Sequence, residues 1–421
     1  MKSLRNNSFL HNAGWMVAGN VVSYAIQASY FVFAARLLGV MQYGIYAGAT
    51  ALISIASQYS TFGSGFLFLR NVSGDHKKFA AYWGNILFAT AAVGGTLVVL
   101  THLFGGRIVS GDTASLLIVV AIADCICGPL TQCCAQIFQA FEKMKFTAGL
   151  TVVTSLLRLA LVLALFAHGP HVAVNVWAFW QMCVSIAAAV MAVCLVFSRY
   201  GSPIWQPGLF RKHALEAATF AFSCSTTSAY NDIDKTMLSH YGMNSANGIY
   251  TMAYRVINIA AMPIRSIQSA ALPRYCRIGE ESIRKAMDYA VRIAKRTSLL
   301  GVGTALLLWF AAPLMPILAG KGFAETITAI RLLCLLPFFR ALHYSAGDAI
   351  SGAGYQSHRF TAQLIAAAGN FGVNLWIIPR YGWVGAAWSS LATDGALAVM
   401  NWTLLKFLVD KSVAAEAAVG S

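Results

Sequence analysis

Twelve runs of roughly twenty predominantly apolar residues follow one another along the chain, at about 12–36, 43–67, 82–104, 113–138, 147–167, 172–197, 213–237, 246–272, 290–318, 326–350, 360–379 and 384–408. A helix rises about 1.5 Å per residue, so each run is long enough to cross the ~30 Å hydrocarbon core of a bilayer. Of the 421 residues, 58% are hydrophobic and 11% charged, with a mean hydropathy of +0.64. An ordinary soluble domain carries about 25% charged residues. The chain has too few polar groups to cover a water-facing surface, so its solvent is mostly lipid. The expected fold is all-α and polytopic, with about twelve transmembrane helices.

The first residues, "MKSLRNNSFLHNAGWMVAGNVV", are basic and lead into an apolar run without a small-residue cleavage site. They read as a retained first span rather than a removed signal peptide. The formal net charge is +15, from 30 Lys and Arg against 15 Asp and Glu. With the N-terminus inside, the inner segments and span ends hold twenty Lys and Arg and the outer ones five. That bias puts both termini in the cytoplasm. Topology thus accounts for the surplus charge, and a nucleic-acid partner is not expected. The nine cysteines include no CxxC pair and lie mostly in apolar runs, as small buried hydrophobes do.

A weak internal repeat runs through the spans. "YGIYAGATALISIA" (43–56) resembles "NGIYTMAYRVINIA" (247–260), and "FEKMKFTA" (141–148) resembles "YQSHRFTA" (355–362). The first offset also pairs Arg70 with Arg274. The chain is therefore expected as two halves of six spans, 1–200 and 201–421. Six is even, so the repeat is parallel, with its axis along the membrane normal. The basic stretch 273–289 is expected as a loop.

The sequence contains no P-loop, GxSxG or HExxH motif, nor a long loop with paired carboxylates. No enzyme activity, cofactor or metal site is expected. Without an ATP-binding motif, movement of a substrate would draw on an ion gradient, the membrane potential or the substrate's own gradient. Ionisable residues inside the spans then become the candidate site, because each costs about 2.5–3.5 kcal/mol to insert at mid-bilayer. Arg255 and Arg265 are ten residues apart, hence about 80° and 15 Å apart on one helix, with Pro263 between them. Guanidinium groups facing a wet cavity suit phosphate or pyrophosphate, since the planar fork stays charged. Arg158 lies at the depth of Asp124 on the preceding span, so an ion pair and a ligand role both stand. Arg331 and Arg340 oppose each other unless Pro337 breaks their helix. Asp348 and Asp394 are partners for Arg340, or sites for a coupling cation. Arg36 ends the first span and reads as an anchor or a substrate contact. Asp232 and Asp234 read as a solvated helix end.

Several stretches carry a family resemblance. "ARLLGVMQYGIYAGATALISIASQYSTFGSGFLFLRNVS" resembles the span 1–2 region of the Wzx-type O-antigen and exopolysaccharide translocases, within the multidrug/oligosaccharidyl-lipid/polysaccharide exporter superfamily. "DIDKTMLSHYGMNSANGIYTMAYRVINIAAMPIRSIQSAALPRY" is similar to their span 7–8 region, and "FQAFEKMKFTA" and "YGWVGAAWSSLATD" also fit. The resemblance implies two six-helix bundles flanking a cationic cleft that alternates between membrane faces. It implies a polyprenyl-pyrophosphate-linked oligosaccharide as substrate, flipped from the cytoplasmic to the periplasmic leaflet of the bacterial inner membrane. Arg255 falls on the family's A-x-R position. With Arg265, Arg36 and Arg158 it would hold the pyrophosphate while the lipid tail stays among membrane lipid. Asp124, Arg340, Asp348 and Asp394 would be ion-pair or coupling-ion residues, with H⁺ or Na⁺ as the ion and polysaccharide polymerase machinery as a further partner. The second half lacks a counterpart of Arg158, because the offset lands on Gly372. Two other readings are a cation-coupled multidrug exporter of the same fold and a membrane glycosyltransferase or polymerase. The first needs a cavity carboxylate, and the second needs loops larger than these.

Overall fold

The computed structural model describes residues 2–169 and 171–419, without the side chains of 2–14, Val17, Phe210 and 415–419. The expectations for the N-terminal Lys2 and Arg5, and for the placement of both termini, lie outside the described side chains. The described residues form helices joined by short turns, with no strand among them. The helices are α1 (Lys2–Ser57), α2 (Ser64–Val72), α3 (His76–Arg107), α4 (Leu117–Ala140), α5 (Met144–His168), α6 (Val174–Tyr200), α7 (Pro207–His240), α8 (Asn244–Ala260), α9 (Met262–Glu281), α10 (Ile283–Ala319), α11 (Thr326–Gly352) and α12 (Gln356–Val419). Eight of them are long and apolar enough to span a membrane. The exposed side chains include Leu299 at 75% and Phe310 at 76%. That inversion of the water-soluble pattern is what a lipid-facing surface requires. The protein is a polytopic all-α membrane protein.

The twelve expected runs map onto these helices with local corrections. The first two share α1, which breaks at Gly39 (φ 69°, ψ 172°), and the last two share α12, which breaks at Gly382 (φ 56°, ψ −134°). Only glycine adopts such angles without strain. The second run does not continue to residue 67 as one helix. It stops at Ser57, and the chain turns through Phe62 and Gly63, both left-handed, before α2. The run 246–272 divides at Ala261 into α8 and α9, with Pro263 in the first turn of α9. The basic stretch 273–289 is not a loop. Helix α9 carries on to Glu281 and α10 starts at Ile283, with Ser282 extended between them. Hydropathy marks where apolar solvent ends, but a helix can continue into water because its hydrogen bonds are internal. Helix α11 is interrupted after Leu333 and resumes at Leu336 with Pro337 in its first turn.

The chain divides into two compact units, 1–245 and 246–421. In the first, α1 packs on α5 and α7, and α4 on α5 and α6. Its apolar core includes Phe68, Trp83, Ile137 and Phe138. In the second, α11 packs on α9, α10 and α12. Ala271, Tyr275, Ala286, Ala346 and Leu405 meet there. A division by packing is a different boundary from the expected repeat boundary at 200/201, which stands as a proposal about sequence similarity.

One corner geometry recurs. Helix α4 ends at Ala140, after which Glu142 takes φ 56°; Glu142 N–H donates to Gln139 O (2.9 Å) and Lys143 N–H to Phe138 O (2.8 Å). Helix α11 ends at Gly352, after which Gly354 takes φ 89°, with the same two bonds, Gly354 N–H to Ser351 O and Tyr355 N–H to Ile350 O, both 3.0 Å. Helix α7 closes identically through Gly242. This is the Schellman turn, which places a left-handed residue two positions past the helix.

The second unit also has a polar core. Arg340, on α11, is 2% exposed; its Nε donates to Asp394 Oδ2 on α12 (3.2 Å), its Nη1 to Asn258 Oδ1 (2.7 Å) and its Nη2 to the Tyr254 hydroxyl (2.9 Å), both on α8. Nearby, Asn370, Asn374, Ser389 and Thr393 bond to one another across the Gly382 break.

Two stability predictions follow from this packing. A Cβ at Gly354 meets nothing within 4 Å, so the cost of Gly354→Ala is conformational alone. It should destabilise by about 1 kcal/mol, and Glu142→Gly should stabilise by a similar amount; thermal midpoints in detergent measure both. Asp394→Asn leaves Arg340 buried without a counter-charge and should cost about 3–5 kcal/mol, while the double change Arg340→Met with Asp394→Leu should recover most of it. A single change as mild as the double one would mean the pair is solvated.

Candidate functional site

In the first unit, α1, α4, α5 and α6 surround a cavity of about 280 Å³. Gln27, Tyr30, Gln132, Thr154 and Ser185 give it a polar wall, and Arg158 from α5 lines it. None of its lining residues is acidic. Arg158 Nε is buried without a hydrogen-bond partner. Arg158 forms no ion pair within 4.0 Å among the described residues, so the pairing with Asp124 weighed above is not made as a contact. Asp124 instead lines a second cavity of about 430 Å³, with Ser54, Gln58, Thr61 and Gln136. Gly128 and Gln132 of α4 border both cavities. Cation and anion are thus divided between neighbouring chambers. Asp124 sits in a π-helical segment, Ile122–Cys127, just before Gly128-Pro129. Such widened turns re-aim side chains and recur at functional positions.

Arg36 is exposed on α1, three residues before the Gly39 break. Asp232 and Asp234 correct the reading of a solvated helix end. Asp234 is 2% exposed and Lys235 8%. Lys235 Nζ donates to Asn231 O (2.9 Å) and Asp232 Oδ1 (2.5 Å), and the Ser54 hydroxyl donates to Asp232 Oδ2 (2.8 Å). Lysine four carbons long can bend back along its own helix, which the sequence spacing alone did not disclose.

In the second unit, Arg255 is half-buried on α8 and Arg265 exposed on α9, on either side of the break at Ala261. The Arg265 guanidinium has no hydrogen bond or ion pair among the described residues. Arg340 is held by Asp394, not by Asp348. Asp348 pairs with Arg359 (2.9 Å), which also donates to the Ser351 hydroxyl (3.0 Å). Arg340 and Arg331 sit on separate segments of α11, and Arg331 Cζ lies 5.2 Å from the Trp309 ring centroid. Three participants escaped the sequence reading: Tyr254, Asn258 and His343. His343 Nε2 lies 3.5 Å from Asp394 Oδ1, three residues after Arg340 on the same helix. The i, i+4 pairs Asn370/Asn374 and Ser389/Thr393 inside apolar runs were the legible signal of the polar core.

The polysaccharide biosynthesis protein family model matches residues 9–278. The lipopolysaccharide biosynthesis protein WzxC of Escherichia coli (strain K12) is 21% identical over 366 residues, covering 82% of this chain and 70% of that protein. The uncharacterized membrane protein MJ1068 of Methanocaldococcus jannaschii is 23% identical over 158 residues, covering 37% of this chain and 31% of that protein. Among solved structures, the lipid II flippase MurJ in an inward closed conformation superposes with a TM-score of 0.74 at 14% identity, over 93% of this chain and 87% of that one. An inward-facing multidrug resistance MATE family transporter of the MOP superfamily gives 0.72 at 13%, over 92% and 94%. A MOP superfamily transporter from Pyrococcus furiosus, described as having a binding pocket of reverse polarity, gives 0.66 at 13%, over 96% and 95%. At these identities the likeness to solved structures is one of fold. With well over half of its length matched by that family model, this multi-pass membrane protein belongs to the polysaccharide biosynthesis protein family.

Proposed function

We propose that the chain flips a polyprenyl-pyrophosphate-linked oligosaccharide from the cytoplasmic to the periplasmic leaflet of a bacterial inner membrane by alternating access. The observation that carries this reading is Arg158: a guanidinium with an unbonded buried Nε in a polar, acid-free chamber. A half-buried guanidinium with an unbonded buried edge is incompletely satisfied, and an entering pyrophosphate would bond it. Two of the guanidinium's edges can grip phosphate oxygens as a fork. The amides of Gln27 and Gln132 and the hydroxyls of Thr154 and Ser185 suit sugar hydroxyls. Arg265, Arg255 and Arg36 are the further candidate contacts, with Arg265 the more accessible of the two in its unit. The relationship to WzxC supports a lipid-linked glycan and surface polysaccharide biosynthesis. The Lys and Arg bias supports a cytoplasmic position for both termini.

A second reading, cation-coupled multidrug export, is favoured by Asp124 lining the neighbouring cavity. The same carboxylate could serve a coupling H⁺ or Na⁺ in the flippase.

In a host whose surface polysaccharide depends on this chain, Arg158→Ala and Arg265→Ala should each lower export about tenfold or more at matched protein levels, the loss of a charge-assisted bond of about 1.5–3 kcal/mol. Arg158→Lys should fall between, keeping the charge and losing the fork. Undiminished export in both alanine variants would remove the pyrophosphate clamp. Asp124→Asn separates the two readings: dye efflux by the parent chain that this variant abolishes would favour the exporter.

A further inference from the structure

The repeat pairs Arg70 with Arg274, and the two have opposite surroundings. In the first unit Arg70 forks onto the Glu216 carboxylate, with Nη2 2.9 Å from Oε2. In the second unit Arg274, on α9, has no carboxylate within ion-pair distance among the described residues. Its Cζ lies 4.9 Å from the ring centroid of Tyr289 on α10, and Arg292 Cζ, also on α10, lies 5.7 Å from the same ring. The ring is 8% exposed while both arginines are exposed. Arg292 Nε reaches only the carbonyl of Asp288 in its own helix, at 3.4 Å. Two permanently cationic planar donors from two helices thus converge on one fixed ring. Neither has a carboxylate partner among the described residues, and a bound anion would supply the counter-charge.

The same hairpin marks where the bilayer begins. Helix α10 carries Arg284, Lys285, Arg292, Lys295 and Arg296, and then from Leu299 onward its exposed residues are apolar, including Leu306, Leu307 and Phe310. The hydrocarbon boundary therefore crosses α10 near residue 298. Arg292 lies six residues earlier, about 9 Å along the axis, which puts its side chain within reach of the headgroup layer. Arginine's fork matches phosphate oxygens, and basic residues at this level attract anionic lipid.

We propose that Arg274 and Arg292, braced on Tyr289, form a binding site for the phosphate of an anionic phospholipid headgroup, with Lys295 and Arg296 extending the cationic surface. The site rests on the membrane fold and not on the transport reading. It lies outside the Arg158 cavity.

The test uses the full chain in nanodiscs of phosphatidylcholine, alone or mixed with phosphatidylglycerol. Native mass spectrometry counts retained phosphatidylglycerol, and thermal midpoints report its effect. The parent chain should retain the anionic lipid and melt higher with it. Arg274→Gln with Arg292→Gln should reduce retention about tenfold and lose the rise in midpoint, while Arg274→Lys with Arg292→Lys should keep part of both. Lys406→Gln with Lys411→Gln removes equal charge elsewhere and should leave both unchanged. The proposal is overturned if the glutamine pair retains the lipid as the parent does, or if the Lys406/Lys411 pair loses it as fully. It is equally overturned if inorganic phosphate in neutral nanodiscs reproduces the stabilisation, because the ligand would then be a soluble phosphate.

Discussion

A peptide group in hydrocarbon has no water to bond to, so each must find its partner within the protein. That constraint produces the helices and also dictates how they end. The three turns after α4, α7 and α11 close their last carbonyls with the same pair of bonds. The breaks at Gly39 and Gly382 interrupt two long helical stretches at single residues. Where the corner residue is glutamate instead of glycine, at position 142, the turn geometry is kept and the backbone bears the strain. Closing the hydrogen bonds outweighs about 1 kcal/mol of conformational cost.

The same constraint applies to side chains, and the two units meet it differently. In the second unit Arg340 bonds Asp394, Asn258 and Tyr254, tying α8, α11 and α12 together. In the first, Arg158 faces a cavity with hydroxyls and amides and keeps a buried, unbonded Nε. A group bonded on three sides is a structural joint, while one with an open edge can accept a ligand.

Much of the architecture was legible because it follows from solvent. Apolar run lengths marked the spans, and Gly and Pro foretold the interruptions at Pro263 and Pro337. Run lengths failed where helices outlast the membrane, as in 273–289, and where a helix breaks inside an apolar run, as after Ser57. Site residues were legible as types but not as pairings. Asp348 and Asp394 are both acids within reach of Arg340 by sequence logic, yet side-chain direction gives one to Arg359 and the other to Arg340. Asp124 and Arg158 fall at one depth by residue count, yet they line different cavities. Depth along a helix is readable from residue count; azimuth across kinks and π-turns is not.

The repeat sharpens the contrast between Arg158 and Arg340. Counting back twelve residues from the helix ends at Ala140 and Gly352, Gly128 in the first unit corresponds to Arg340 in the second. Counting forward fourteen residues from the helix starts at Met144 and Gln356, at the same offset, Arg158 corresponds to Asn370. Each unit therefore has one guanidinium at this pair of positions, on α5 in the first and on α11 in the second. Gly128 borders the Arg158 cavity, so the missing side chain on α4 leaves room beside the cation. In the second unit the arginine itself occupies the α11 position and is enclosed by its partners. Releasing Arg340 to an anion would break three hydrogen bonds and strand Asp394, whereas Arg158 would gain bonds on binding. Arg158 thus presents an open edge in the first unit, whereas Arg340 is already held by Asp394 in the second.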